Sequence, residues 1–109
     1  MNNIIDDDYG LRQTPAVEMP CFMEQGPNYI DGWKPPGEAC GDYDLDFLVG
    51  EIYADFAVQY ARKIKDHKVL GLIISTIQSK ALRGQLVIGG LECGFFDRLG
   101  RLAYVGSLN

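Results

Sequence analysis

Three segments after residue 42 carry apolar residues at helical spacing. In the first segment the apolar stripe consists of Leu45, Leu48, Val49, Ile52, Phe56, Tyr60 and Ile64. Three aspartates open this segment at residues 42–46, and three basic residues close it at residues 62–65. Acids at the start and bases at the end suit the helix dipole. The pattern therefore predicts a helix over about 44–65.

The next two segments predict two further helices. One is rich in aliphatic residues from Val69 to Ala81 and stops at Gly84, a typical C-terminal cap, which indicates a helix over 68–83. The other repeats leucine and phenylalanine between Leu86 and Leu102 and indicates a helix over 86–105. Because β-branched residues crowd 69–76 and glycines follow Leu86, an α+β domain with short strands near 69–76 and 85–89 is the alternative.

Small residues recur at helical spacing on two of these segments. Gly50 and the three alanines that follow it lie opposite the apolar stripe of the first helix, and Gly90 and Gly94 lie in the third. Small residues let a second backbone approach closely, so we expect close helix packing or self-association through these Gly/Ala faces. A helical body of about 60 residues buries too little surface to be stable without such support.

The chain before the helices has a different composition. All five prolines fall before residue 37, and proline bars the helical hydrogen-bond ladder. Residues 1–46 hold ten acids and two bases, net −8, whereas residues 47–109 hold five acids and eight bases, net +3. We therefore predict a mostly α, small three-helix domain with an extended Pro-rich N-terminal arm, the arm covering 1–41 and the body 42–109 in a single domain.

Length, charge and cysteine usage exclude several classes of protein. A chain of 109 residues forms one domain and is too short for a barrel enzyme. Its net charge of −5 disfavours binding to nucleic acid or to an anionic membrane. The acidic N-terminus lacks the features of a secretory signal, and three cysteines without a CxxC pair indicate reduced thiols in a cytoplasmic protein.

Metal sites are not indicated by the acidic residues. Asp42, Asp44 and Asp46 alternate as in a calcium loop, but Phe47 stands where that loop needs glycine and Tyr53 where it needs glutamate. Acids at a helix start explain them better.

Catalytic and cofactor sites are not indicated either. Cys21, Cys40, His67 and Cys93 are too widely spaced for a structural zinc site. The glycines of 84–94 lack the Lys-Ser/Thr of a phosphate-binding loop. We expect no metal, no cofactor and no catalytic residue, and an enzyme built on His67 ranks last among the hypotheses.

The favoured hypothesis is a non-enzymatic interaction protein that binds a macromolecular partner, a protein, stoichiometrically as inhibitor or adaptor. Small acidic proteins without catalytic motifs are often products of phages or other mobile elements that block host machinery, and such an origin is part of this hypothesis. We expect the chain to be a homodimer or larger. The arm supplies acids for steering and aromatic residues of the kind that anchor interfaces. The expected partner-binding residues are Asp6, Asp7, Asp8, Tyr9, Phe22, Tyr29 and Trp33.

The alternative hypothesis is an oligomeric binder of a small anionic ligand or nucleotide. In that case basic side chains would hold the anion and tyrosine rings would stack on the ligand. The expected ligand-binding residues are Tyr53, Tyr60, Arg62, Lys63 and Arg98.

Overall fold

The computed structural model describes residues 18–37 and 40–107. Within this part of the chain, three helices follow a two-stranded antiparallel sheet, in agreement with the predicted mostly α domain. The elements are β1 (Glu24–Gln25), β2 (Ile30–Asp31), α1 (Tyr43–Ile64), α2 (Lys68–Leu82) and α3 (Gly90–Ser107).

The strand alternatives near 69–76 and 85–89 are wrong. The first segment lies inside α2, and the second forms an extended connection without a strand, so α3 begins at Gly90 rather than at residue 86. The sheet lies in the arm instead, where Glu24 pairs with Asp31 across a turn that contains Pro27. The sequence indicated a turn there but not the strands.

Helix ends follow the local sequence signals. The side chain of Asp42 accepts hydrogen bonds from the backbone N–H groups of Asp44 and Leu45 and caps α1. At the C-terminal end of α2, Gly84 adopts φ +73°, and the backbone N–H of Gln85 donates to the carbonyl of Lys80. This is the left-handed terminator for which glycine was expected.

The packing of α1 on α3 depends on glycine. A Cβ added to Gly50 would collide with the carbonyl oxygen of Leu91, and one added to Gly94 would collide with the carbonyl oxygen of Phe47. The contacts advance in the same direction along both helices, from Gly90 beside Tyr43 to Gly94 beside Phe47, so α1 and α3 run parallel. The Gly/Ala face of α1 is therefore used inside the chain.

The arm completes the core between α2 and the pair formed by α1 and α3. Helix α1 packs far more extensively on α3 than on α2. Gly32 lies against the backbone of α2, because a Cβ there would come within 3.1 Å of the Cα of Ile73. The largest fully buried side chains come from the arm, α2 and α3: Trp33, Phe22, Phe95, Ile73 and Ile77.

Replacing Gly94 by alanine tests the close helix contact. We expect Gly94→Ala to lower the free energy of unfolding by about 2 kcal/mol or more, because the new methyl group must push backbone away. Gly100→Ala is the matched control: it lies in the same helix with open space around the added methyl group. It should stabilise the protein by about 0.5–1 kcal/mol through helix propensity. Urea unfolding measures both, and equal effects would contradict the glycine contact.

Candidate protein-docking surface

Two of the predicted partner-binding aromatics belong to the core. Phe22 is 0% exposed and Trp33 is 1% exposed. Their ring centroids lie 5.3 Å apart, and the centroid of Trp33 lies 5.0 Å from that of Phe95. On the other side, Phe22 stacks on Tyr53 at 4.9 Å, and burial there raises the pKa of the Tyr53 hydroxyl. Neither Phe22 nor Trp33 is accessible to a partner in this fold.

A buried carboxylate ties the arm to α3. Glu92 is 4% exposed; its Oε2 accepts a hydrogen bond of 3.0 Å from the indole N–H of Trp33. Its Oε1 accepts the backbone N–H of Gly89 at 2.8 Å, which is half of a capping box at the start of α3. Glu92 therefore has a structural role, since both of its oxygens are used inside the protein.

The remaining predicted partner-binding residues have different locations. Tyr29 is 59% exposed beside the β1–β2 turn and can reach a partner. Asp6, Asp7, Asp8 and Tyr9 lie outside the described residues.

The two arginines of the alternative ligand site lie apart from Tyr53. Tyr53 packs against Phe22 in the core, whereas Arg62 follows nine residues later on α1 and therefore points about half a helical turn away. Arg98 is paired with Asp55 at 2.9 Å. Arg62 on α1 and Arg98 on α3 therefore lie away from the ring of Tyr53.

Reactive and metal-binding side chains are dispersed. Across residues 18–37 and 40–107, no group of three His, Cys, Asp or Glu side chains could hold a metal ion. Cys21 and Cys40 are exposed free thiols, and Cys93 is partly buried. His67 is exposed at the start of α2 and makes no side-chain hydrogen bond to that helix.

A continuous apolar surface is exposed on α1. Five large apolar side chains, each between 38% and 55% exposed, share one side of this helix and are termed the α1 apolar face. They lie about half a turn from Gly50 and Ala54, which face α3 and the core. The members of the α1 apolar face are Leu45, Leu48, Val49, Ile52 and Phe56.

In the sequence, the apolar stripe of the first helix predicts a helix but does not predict an exposed surface. An apolar stripe ordinarily marks the side of a helix that faces the core. Here the opposite, small-residue side faces the core. The signal that could have indicated this was the Gly/Ala row itself, because a helix that uses small residues for packing leaves its large residues outside.

Ion pairs neutralise the acids beside the α1 apolar face. Glu51 pairs with Arg101, and Asp55 pairs with Arg98, both arginines coming from α3. At the ends of α1, in contrast, the charges face solvent: Asp44 is exposed at the start and Lys63 at the end. No side chain in the described part of the chain forms a salt bridge with either.

Comparison with protein-family models, with curated proteins and with solved structures found no significant match to this chain. None of the described helices is long and apolar enough to cross a membrane.

Removing one acceptor from Glu92 tests the contact between arm and body. Glu92→Gln leaves either the Trp33 indole or the Gly89 amide without its carboxylate partner, and we expect a loss of about 1–3 kcal/mol in unfolding free energy. Urea unfolding followed by the fluorescence of Trp33, the single tryptophan, measures this loss. The control Glu24→Gln removes an exposed pair with Lys34 and should cost much less than Glu92→Gln, because solvent screens the pair. Equal losses would contradict the structural role of Glu92.

Proposed function

We propose that this protein acts by stoichiometric association with another polypeptide, as an inhibitor or an adaptor, rather than by catalysis. Its docking surface is the α1 apolar face. The observation that carries the proposal is that α1 leaves five large apolar side chains, from Leu45 to Phe56, about half exposed on one side.

The chemistry of the α1 apolar face fits a protein partner. Contiguous apolar patches on soluble proteins mark interaction sites more often than isolated exposed residues do. Phe56 and Ile52 lie one turn apart at the centre of α1 and offer the kind of anchor that fills a pocket on a partner. The helical spacing also matches recognition modes in which an amphipathic helix presents its apolar side to a groove or to another helix.

Charge adds specificity to this docking. Acidic side chains surround the start of α1, and bases lie in its last turn. Complementary charge speeds encounter and excludes partners of the same sign. We therefore expect a partner that sets basic side chains beside the acidic start of α1 and an apolar surface against the α1 apolar face. The acidic residues 6–8 and the exposed Tyr29 remain predicted contacts with the partner.

A site-specific photocrosslink tests the docking surface. We expect a photoreactive phenylalanine analogue in place of Ile52 to form a discrete covalent adduct with a second polypeptide in the protein's native cells. The same analogue in place of Gln78, an exposed polar residue of α2, is the control and should form no such adduct. Mass spectrometry of the adduct identifies the crosslinked chain and its stoichiometry.

The proposal fails under two results. Absence of any intermolecular adduct at position 52 would show that the α1 apolar face is not a docking surface. Equal adducts from positions 52 and 78 would show that the crosslinking reports collision rather than docking.

A further inference from the structure

We infer that the α1 apolar face is covered by α1 of a second copy of this chain, running antiparallel. This inference rests on the proposed function, because it takes the α1 apolar face as a protein-docking surface and names its occupant. Three observations support it: the spacing of the apolar residues, the charges along α1 and the neutralised acids beside the face.

The spacing suits a helix-to-helix seam. Leu45, Val49, Ile52 and Phe56 alternate four and three residues apart, as in the a and d positions of a coiled coil. In an antiparallel pair, one register sets Leu45 of each copy against Phe56 of the other and Val49 against Ile52. Every residue of the seam then contacts an apolar residue. Each contact occurs twice, and its two occurrences are related by a two-fold axis.

The charges along α1 select the antiparallel orientation. Acids lie at the start of the helix, at Asp42, Asp44 and Asp46, and the bases Arg62 and Lys63 lie in its last turn. A parallel pair would set acids against acids. In the antiparallel register, Lys63 passes beyond Leu45 of the second copy and approaches the acidic start of its helix. Opposite charges thus meet at both ends of the seam.

The centre of the pair is free of like-charge repulsion for a separate reason. A two-fold axis near residues 50 and 51 brings Glu51 and Asp55 of the two copies close to one another. Each of these carboxylates is paired with an arginine of its own α3, Glu51 with Arg101 and Asp55 with Arg98. The acids beside the seam are therefore compensated before the second copy arrives.

Sedimentation equilibrium of the purified full chain tests whether a second copy is bound. We expect a mass twice the 12.1 kDa of one chain. Ile52→Glu should raise the dimer dissociation constant by at least about 30-fold, since it buries a charge at the centre of the seam in both copies. Gln78→Glu on α2 is the control and should stay dimeric. Circular dichroism should show the same helix content in all three proteins. A monomeric wild type overturns the inference.

Lys63→Glu tests the charges at the ends of the seam. We expect it to raise the dimer dissociation constant by about fivefold at low salt, with the effect shrinking as salt is added. The control Lys68→Glu changes an exposed base at the start of α2 and should leave the constant unchanged. Equal constants for Lys63→Glu and Lys68→Glu would overturn the proposed end contacts.

Disulfide trapping tests the orientation. In chains whose native cysteines are replaced by Ser or Ala, a mixture of Leu45→Cys and Phe56→Cys chains should form a covalent heterodimer on oxidation. Leu45→Cys alone should not, because antiparallel helices hold the two copies of residue 45 far apart. A covalent homodimer through position 45 would establish a parallel pair and overturn the antiparallel arrangement.

The failure of this inference differs from the failure of the proposed function. If the purified chain is monomeric and the photocrosslink at position 52 captures a different polypeptide, the docking surface stands and the second copy is excluded. If that crosslink instead joins position 52 to residues 1–17 of the same chain, both proposals fall.

Discussion

The contact between α1 and α3 is the constraint on which the rest of the structure depends. The two backbones approach so closely that neither Gly50 nor Gly94 leaves room for a Cβ. Such an approach brings many weak contacts into range and gives parallel helices a definite register. Because the small residues of α1 occupy this interface, the large residues of the α1 apolar face lie on the other side of the helix. The exposed apolar face is thus a consequence of how α1 packs.

The arm fills the space that the packing of α1 on α3 leaves beside α2. Helix α1 contacts α2 only weakly, so a gap between the helices has to be filled by other side chains. Phe22 and Trp33 fill it, and Lys80 of α2 secures the arm through Asp31 and the carbonyl of Trp33. The single buried carboxylate in the described core, Glu92, is satisfied by the same arm. The arm is therefore part of the fold.

Large side chains occupy two kinds of place in this protein, the core and the exposed α1 apolar face. Aromatic residues of the arm pack in the core, whereas the large residues of the α1 apolar face are exposed and form the proposed docking surface. The arginines of α3 contribute to both, because Arg98 and Arg101 hold α3 against α1 and also neutralise acids at the border of the α1 apolar face. This arrangement favours a role in binding, with the proposed second copy as the occupant.

The sequence by itself determined the local structure. Helical periodicity, the Asp42 cap and the terminating Gly84 are short-range signals, and the three helices lie where these signals indicated, apart from the start of α3. The class of the fold followed from them. What only the tertiary structure decided is which side of each element is buried. Periodicity distinguishes a large-residue side and a small-residue side of α1, but it does not indicate which of them is buried. The close approach of α3 through glycine buries the small-residue side. In the same way, the aromatic residues of the arm are typical of an interface or of a core. In the tertiary structure, Phe22 and Trp33 are buried in the gap beside α2.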